Sequence, residues 1–262
     1  MDTTLIQYST DSGIALIELD NPPANTYSHE MMLQLDAAIL RARFDDNVYV
    51  ILIRGKGDKF FSAGADIEML NRVTPQFKYN FCLHANETLN RLERTPKLVI
   101  AALNGHTVGG GLEIAMACDL RIARRDAGQI GLPEIALGVL PGTGGSQRLT
   151  RHVGKARALE LMVTGRKFSF EEAQEMGLIH DIYENEGFFE QVLAYARQFT
   201  PPNKASKAVG RIKLAVQAGG ELPLWEALSL EQELQANLFA SEDAKEGLRS
   251  YVEKGVPRFK GA

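Results

Sequence analysis

Two long apolar runs constrain the fold of this chain more than any other feature of its sequence. VYVILIRG occupies residues 48–55, and KLVIAALNG occupies residues 97–105. Runs that are apolar at nearly every position are typical of strands covered on both faces, whereas a strand with one face in water alternates apolar and polar residues. A helical pattern covers roughly residues 76–94, between the two runs. The alternation of buried strands and helices predicts an α/β fold.

Local signals predict several further elements. Residues 3–9 and 13–20 alternate around an Asp-Ser-Gly turn, which predicts a β-hairpin. Ser28 precedes the helical run HEMMLQLDAAILRAR and is expected to cap it. Ser169 with Glu172 three residues later has the pattern of a capping box at the start of another helix.

The C-terminal part of the chain has a different pattern from the rest. Beyond Thr200, three helical segments follow one another without an intervening strand. Their apolar residues, among them Ile212, Leu224 and Leu234, are more numerous than a solvated appendage needs. We therefore predict an α/β core over residues 1–200 and an all-helical region over residues 201–262, which packs on the core or on a neighbouring subunit.

The composition excludes several classes of protein. The chain has 262 residues with a net charge of −4 and a hydrophobic share of 45%, as in ordinary soluble domains. Without a basic excess, neither a nucleic acid nor a membrane surface is expected as a partner. No apolar run reaches the roughly 18 residues of a membrane span, and no secretory signal is readable. Cys82 and Cys118 are predicted to be free thiols of a reducing compartment, hence a cytoplasmic location.

Three consecutive glycines stand in NGHTVGGGLEIAMACDL, residues 104–120. Gly109–Gly111 follow the second buried strand and precede an apolar helical run, so their N–H groups lie among the unpaired donors of a helix N-terminus. Without side chains, they let a ligand approach the backbone. Two interpretations remain open: an oxyanion hole or anion cradle, and close packing of the helix on its strand. The spacing fits neither a dinucleotide-binding GxGxxG motif nor a P-loop.

A similar turn follows the first buried strand, in KFFSAGADIEML, residues 59–70. A helix that begins at Asp66 would leave the N–H of Ala65 exposed behind it. Two such turns at the ends of buried strands could direct two N–H donors at one carbonyl oxygen. Two unrelated helix caps are the alternative.

Two glutamates have entirely apolar flanks. Glu113 follows the three glycines, Glu134 lies in GLPEIALG, and neither has Lys or Arg within four residues. Buried carboxylates of this kind suit paired acid and base catalysis, with pKa values moved apart by their surroundings. Each alone could instead be a helix N-terminal charge. Gly142, Gly144 and Gly145 form a flexible turn beyond Glu134 whose N–H groups could hold a water.

Taken together, these stretches resemble the crotonase, or enoyl-CoA hydratase/isomerase, superfamily over essentially the whole chain. The matching segments include KFFSAGADIEML, VIAALNGHTVGGGLEIAMACDLRIA, GLPEIALGVLPGTGGSQRL and EDAKEGLRSYVEKGVPRFKG. The resemblance implies a spiral of ββα units with a C-terminal all-helical oligomerisation region. It also implies homotrimers that commonly pair into homohexamers, and coenzyme A thioesters as substrates.

The resemblance assigns roles by position in the motifs. Ala65 and Gly110 would donate the two N–H groups of the oxyanion hole. Glu113 and Glu134 would hold a water between them with the help of the Gly142 N–H, Glu113 activating it for attack at Cβ and Glu134 exchanging the proton at Cα. Hydratases of the family carry both glutamates, whereas Δ3-Δ2 isomerases typically keep only the second.

Five residues are implied as contacts of the CoA part of the substrate: Lys59, Ala63, Asp66, Ile67 and Lys260. Lys59 and Lys260, the latter from a neighbouring subunit, are candidates because Glu68 stands where some relatives have a phosphate-binding lysine. The stretch NPPANTYS, residues 21–28, also differs from the more usual asparagine-leucine version.

The resemblance therefore implies an enoyl-CoA hydratase, a hydro-lyase of the kind used in fatty acid metabolism, which adds water reversibly to a 2-trans-enoyl-CoA. No cofactor is expected beyond the coenzyme A of the substrate. No metal is expected either, because no His or Cys stands at ligand spacing. The alternatives are a Δ3-Δ2-enoyl-CoA isomerase or another acyl-CoA enzyme of the family, and a non-catalytic acyl-CoA- or RNA-binding relative.

Overall fold

The computed structural model of the protein describes residues 3–262. The strands are β1 (Ile6–Asp11), β2 (Ile14–Leu19), β3 (Val50–Gly55), β4 (Phe60–Ser62), β5 (Leu98–Leu103), β6 (His106–Val108), β7 (Leu120–Arg124), β8 (Ile130–Gly131) and β9 (Asp181–Tyr183). The α-helices are α1 (His29–Phe44), α2 (Ile67–Arg72), α3 (Pro75–Glu93), α4 (Gly110–Met116), α5 (Gly145–Val153), α6 (Lys155–Thr164), α7 (Phe170–Glu175), α8 (Phe188–Arg197), α9 (Ser206–Gly219), α10 (Leu224–Phe239) and α11 (Glu242–Val252). A 3₁₀ helix spans Glu134–Leu137.

The strands form two sheets, and each sheet adds its strands in the order in which they occur in the sequence. The larger sheet has the order β1-β2-β3-β5-β7-β9, and the smaller has the order β4-β6-β8. The β1–β2 hairpin is antiparallel, as predicted, and the other neighbouring strands are parallel. The pairs β3–β4, β5–β6 and β7–β8 each give one strand to the large sheet and one to the small sheet before the chain turns into a helix. This repeat is the predicted spiral of ββα units, and the α/β fold is confirmed.

The two apolar runs are covered on both faces because their alternate residues enter two different cores. Ile51 and Ile53 of β3 pack in the main core, which also contains residues of α1, α3 and α4. Val50 and Leu52 face the other way and pack with Val192 and other residues of α8. A strand places successive side chains on opposite faces, so only a run without polar positions fits between two helical layers.

The helix caps agree with the predictions. The Ser28 hydroxyl accepts a hydrogen bond from Met31 N, and the Ser169 hydroxyl accepts one from Glu172 N. The side chain of Glu172 bonds to Arg166 instead of returning to the backbone, so only half of the capping box forms. The strands of the small sheet were not predicted from the sequence, since strands of two or three residues are too short for a periodic signal. Helix α8 was not predicted either.

Helices α9, α10 and α11 form the C-terminal helical region, and α9 is joined to the core by a buried ion pair. Lys213 Nζ lies 2.9 Å from Asp119 Oδ2, with side chains only 2% and 9% exposed. The same ammonium donates to the carbonyls of Leu92 and Lys97, and Asp119 accepts from Val99 N. Burial lowers the pKa of Lys213 and raises the pKa of Asp119, so each charge depends on its partner. The division at residue 200 stays a prediction.

Between residues 3 and 262, the structure contains no helix with the length and apolar character needed to cross a membrane.

The substitution Lys213→Met should destabilise the fold by about 3 kcal/mol, because it keeps most of the side-chain volume but leaves Asp119 buried without its counter-ion. Chemical denaturation would measure this change in the free energy of unfolding. Arg151→Met is the matched control, since Arg151 pairs with Glu221 at the surface, where both side chains are more than half exposed. Equal effects of the two substitutions would contradict the anchoring role of Lys213.

Candidate active site

One cavity of about 540 Å³ lies where the strands of the small sheet end. β4 ends at Ser62, β6 at Val108 and β8 at Gly131, and the segments directly after these ends line the cavity. Side chains at the carboxyl ends of parallel strands converge at one edge of a sheet, which is where α/β folds bind ligands. The predicted residues Ala65, Gly110, Glu113, Glu134 and Gly142 all line this cavity.

The two small-residue turns lie against each other. Gly64 has φ +88°, and a Cβ built on it would lie 2.8 Å from Gly110 N, so the turns approach closely only because residue 64 is glycine. Gly109 has φ +57° and donates its N–H to Gly131 O, which holds the second turn to β8. Within residues 3–262, neither the Ala65 N–H nor the Gly110 N–H donates a hydrogen bond to the protein. Both predicted donors therefore remain available at the cavity wall.

Glu113 is buried, with 2% of its surface exposed, and its partners are backbone groups at the start of α5. Its Oε1 accepts hydrogen bonds from Thr143 N at 2.8 Å and Gly145 N at 2.7 Å. The Thr143 hydroxyl contacts the other carboxylate oxygen, Oε2. The helix N-terminus thus supplies the donors that a buried carboxylate requires. The Gly145 N–H, predicted as one of the groups that could hold a water, is used to hold Glu113.

Glu134 is the first residue of the 3₁₀ helix and has a different environment. Its Oε2 atom is buried and has no hydrogen-bond partner among the described residues. Burial raises the pKa of Glu134 from 4.5 to about 7, and the negative charge of Glu113 acts in the same direction. A carboxyl group of this kind can hold or release a proton near neutral pH. The two acids therefore share one cavity but have unlike electrostatic surroundings, which is the arrangement needed for separate acid and base roles.

The residues predicted to contact CoA fall into two groups. Ala63 and Ile67 line the cavity beside the first turn. Asp66 caps α2 by accepting from Met69 N, and its own N–H donates to Tyr27 O. That N–H is therefore already paired within the protein.

Lys59 and Lys260 lie outside the cavity wall. Lys59 directly precedes β4, at the opposite end of that strand from Ala63. Lys260 lies in the C-terminal segment, where its backbone N–H donates to Asp243. The chain holds neither lysine beside its own cavity, and the CoA contacts of all five residues stay predictions.

Two buried residues at the site were not singled out by the sequence. Tyr27 and Thr143 both line the cavity, and their hydroxyl oxygens lie 3.1 Å apart. The only signal for Tyr27 was the unusual stretch NPPANTYS, and nothing in the glycine-rich turn distinguished Thr143.

Histidines and cysteines form no candidate metal centre in the part of the chain that the structure describes, where no group of three or more His, Cys, Asp or Glu is placed to hold an ion. His106 is the first residue of β6, and its Nδ1 accepts a hydrogen bond from Gln129 N. Cys82 and Cys118 are free thiols, as predicted.

The spiral of ββα units, with two close backbone turns around one cavity, defines a crotonase-like α/β chain. The sequence profile described as "Enoyl-CoA hydratase/isomerase" matches residues 9–262, and the chain belongs to this family. The chain is 37% identical to a probable enoyl-CoA hydratase of Bacillus subtilis over 98% of both chains. It is 32% identical to the short-chain-enoyl-CoA hydratase of Clostridium acetobutylicum over 97% of both chains.

Solved structures agree with this membership. A crystal structure described as an enoyl-CoA hydratase from Geobacillus kaustophilus superposes with a TM-score of 0.97 at 46% identity, covering 100% of this chain and 98% of that one. The enoyl-CoA hydratase structure from Bacillus anthracis superposes with a TM-score of 0.93 at 31% identity, covering 99% of this chain and 100% of that one.

Glu134→Gln should raise the melting temperature at pH 8 and leave it nearly unchanged at pH 5. Because the pKa of Glu134 is raised in the folded state, stability is lost as the pH rises from about 4.5 to about 7, and the neutral amide avoids this loss. Thermal unfolding of both proteins across this pH range would measure the difference.

Glu113→Gln serves as the opposing variant in the same experiment. It should lower the melting temperature at pH 8, because the amide oxygen accepts the Thr143 and Gly145 N–H groups without the negative charge that strengthens these bonds. Equal shifts in the two variants would contradict the unlike environments of the acids.

Proposed function

We propose that the chain is an enoyl-CoA hydratase, which adds water reversibly to a 2-trans-enoyl-CoA to give a 3-hydroxyacyl-CoA. One observation carries the proposal: Glu113, which is hydrogen-bonded, and Glu134, whose Oε2 has no partner among the described residues and whose pKa is about 7, line the same cavity as two free backbone N–H donors. Family membership supports acyl-CoA chemistry, and the two acids favour hydration within it.

In the proposed reaction, the N–H groups of Ala65 and Gly110 bind the thioester oxygen. Addition of water at Cβ moves negative charge onto this oxygen and forms an enolate, which two fixed donors stabilise more strongly than they stabilise the neutral carbonyl. Their N–H groups have no competing acceptor within residues 3–262. The donors are therefore oriented before the substrate binds.

The proposed proton transfers divide between the two acids. Glu113 accepts a proton from the water as its oxygen bonds to Cβ, and the protonated form of Glu134 gives a proton to Cα. One proton is taken and one is given, so the product gains H and OH, and solvent exchange restores the starting forms of the acids. Gly142, at the cavity wall, is proposed to help hold the water.

The substrate's CoA part is proposed to lie along Ala63 and Ile67, with Asp66, Lys59 and a neighbouring subunit's Lys260 as further contacts. Coenzyme A enters as part of the substrate, and the proposed steps use the chain's own groups. The cytoplasmic location also remains a proposal, which the free thiols support.

Glu113→Gln and Glu134→Gln should each lower kcat for hydration of crotonyl-CoA by about 10²- to 10⁴-fold, because each removes one proton transfer. The loss of absorbance of the conjugated enoyl thioester measures the rate. Glu190→Gln, an exposed change in α8, is the matched control and should keep wild-type turnover. Near wild-type rates in both folded active-site variants would overturn the proposed roles.

A second assay of the wild-type protein distinguishes hydration from double-bond migration. A 3-enoyl-CoA offered to the wild type should be converted far more slowly than crotonyl-CoA, with ¹⁸O from labelled water appearing in the product of crotonyl-CoA only. Fast migration without label uptake would favour the isomerase.

We propose a homotrimer or a dimer of trimers in solution, as a separate point from the chemistry. Leu224, Trp225 and Phe239 of α10 are 69%, 79% and 63% exposed, and α10 has no buried residue in the single chain. A helix with this much exposed apolar surface needs a covering partner.

Light scattering should therefore give a mass three or six times that of the chain. Trp225→Lys should shift the mass towards the monomer, because a charge would be buried in the contact. A wild-type protein that remains monomeric at micromolar concentration would contradict this assembly.

A further inference from the structure

Two buried hydroxyl groups connect the cavity wall to Glu113. The Tyr27 hydroxyl oxygen lies 3.1 Å from Thr143 Oγ1, and the Thr143 hydroxyl contacts Glu113 Oε2. The three residues are only 4%, 2% and 2% exposed, so water does not replace these contacts. The hydration steps proposed above use neither hydroxyl.

The chemistry of the three groups fixes the direction of the hydrogen bonds. An ionised carboxylate only accepts, so the single proton of the Thr143 hydroxyl points to Glu113. Thr143 Oγ1 is then an acceptor, and the Tyr27 hydroxyl must donate to it. Burial and the charge of Glu113 raise the pKa of Tyr27 well above 10.0, so its phenol keeps the proton that this donation needs.

The two oxygens of Glu113 differ in what they can do. Oε1 is held by the N–H groups of Thr143 and Gly145, which can only donate and therefore require an oxygen that accepts. Oε2 is held by a hydroxyl, which can either donate or accept. If Oε2 takes a proton, it can donate to Thr143, which in turn can donate to Tyr27. Only the Oε2 side accommodates both protonation states without losing a hydrogen bond.

The fold places Tyr27 firmly. Its backbone N–H donates to Gly64 O and its carbonyl accepts from Asp66 N, on either side of Ala65. Its ring packs on Phe81 at 5.8 Å and lies directly over Gly110, where a Cβ atom would collide with the phenol. The ring therefore contacts one proposed oxyanion donor, while its hydroxyl points to the partner of Glu113.

We propose that Tyr27 is a positioning residue for hydration: through Thr143, its hydroxyl orients Glu113 so that Oε2 receives the proton of the attacking water. This inference rests on the proposed hydratase function. Without the Tyr27 hydroxyl, the Thr143 side chain loses one partner and can adopt other staggered rotamers, which would release Oε2. The effect is on kcat, since the proposed contact acts on the water and leaves CoA binding unchanged.

Tyr27→Phe keeps the ring and removes only the hydroxyl. It should lower kcat for crotonyl-CoA about five- to thirtyfold, the range for one buried hydrogen bond, with KM changed less than twofold. Tyr8→Phe and Thr88→Val are the matched controls, because their hydroxyl groups are buried without a partner among residues 3–262. Both controls should keep the wild-type kcat.

A double-mutant cycle tests whether Tyr27 acts through Thr143. Thr143→Val should lower kcat at least as much as Tyr27→Phe, and Thr143→Ser should restore most of the loss. In the Thr143→Val background, Tyr27→Phe should have no further effect, because the connection is already broken. KM should change less than twofold in both variants, since the effect is proposed to fall on the attacking water and to leave CoA binding unchanged. Additive losses of kcat, or a Tyr27→Phe protein whose kcat stays within twofold of wild type, would overturn the inference.

A measurement that needs no turnover separates this inference from the proposed function. The infrared stretching bands of the Glu113 carboxylate are obtained as the difference between each protein and its Glu113→Gln counterpart at one pH. Because these bands respond to hydrogen bonds on the carboxylate oxygens, they should shift in Thr143→Val and, to a smaller extent, in Tyr27→Phe. If the wild type does not hydrate crotonyl-CoA, the proposed function fails while the infrared difference still decides the hydrogen-bonded connection. Unshifted bands in Tyr27→Phe would refute that connection even in an active hydratase.

Discussion

The pairing of the buried Glu113 carboxylate with the start of α5 is the interaction on which the rest of the site depends. A carboxylate removed from water must receive hydrogen bonds, and Thr143 N and Gly145 N supply them. Satisfying Glu113 requires the glycine-rich turn before α5 to fold back over α4. That fold closes one side of the cavity, which Glu134 also lines with an Oε2 atom that has no hydrogen-bond partner among the described residues. The pKa of Glu134 is raised mainly by its burial, and the negative charge of the nearby Glu113 acts in the same direction.

The repeated ββα unit explains how distant parts of the chain meet at this cavity. Ala65 follows β4, Gly110 follows β6 and Glu134 follows β8, so each turn of the spiral delivers one group to the same edge of the small sheet. The large sheet and its two cores hold these turns in place, because β3, β5 and β7 each lie between two parallel neighbours and send alternate residues into the two cores. The short strands of the small sheet contribute little core themselves, and their role is to set the spacing of the functional turns.

Much of the architecture could be read from local patterns. The runs at 48–55 and 97–105 contain β3 and β5, and Ser28 and Ser169 cap helices, as predicted. These elements were predictable because their signals depend on residues only a few positions apart. The apolar flanks of Glu113 correctly indicated burial. Its partners were not predicted, since Thr143 lies 30 residues away and nothing in the intervening sequence specifies that contact. The same limit applies to Tyr27, which lies 116 residues from Thr143.

The sequence by itself determined the alternation of buried strands and helices, the two glycine-containing turns, the two apolar-flanked acids and the helical C-terminal region. Each of these follows from residue size, polarity and backbone freedom within a short window. Only the tertiary structure decided which acid receives hydrogen bonds from the start of α5 and which has a raised pKa, and that neither Lys59 nor Lys260 lies at the wall of this chain's cavity. These properties depend on desolvation and on donors brought together from separate turns of the spiral, and such distances are set by packing of the whole chain.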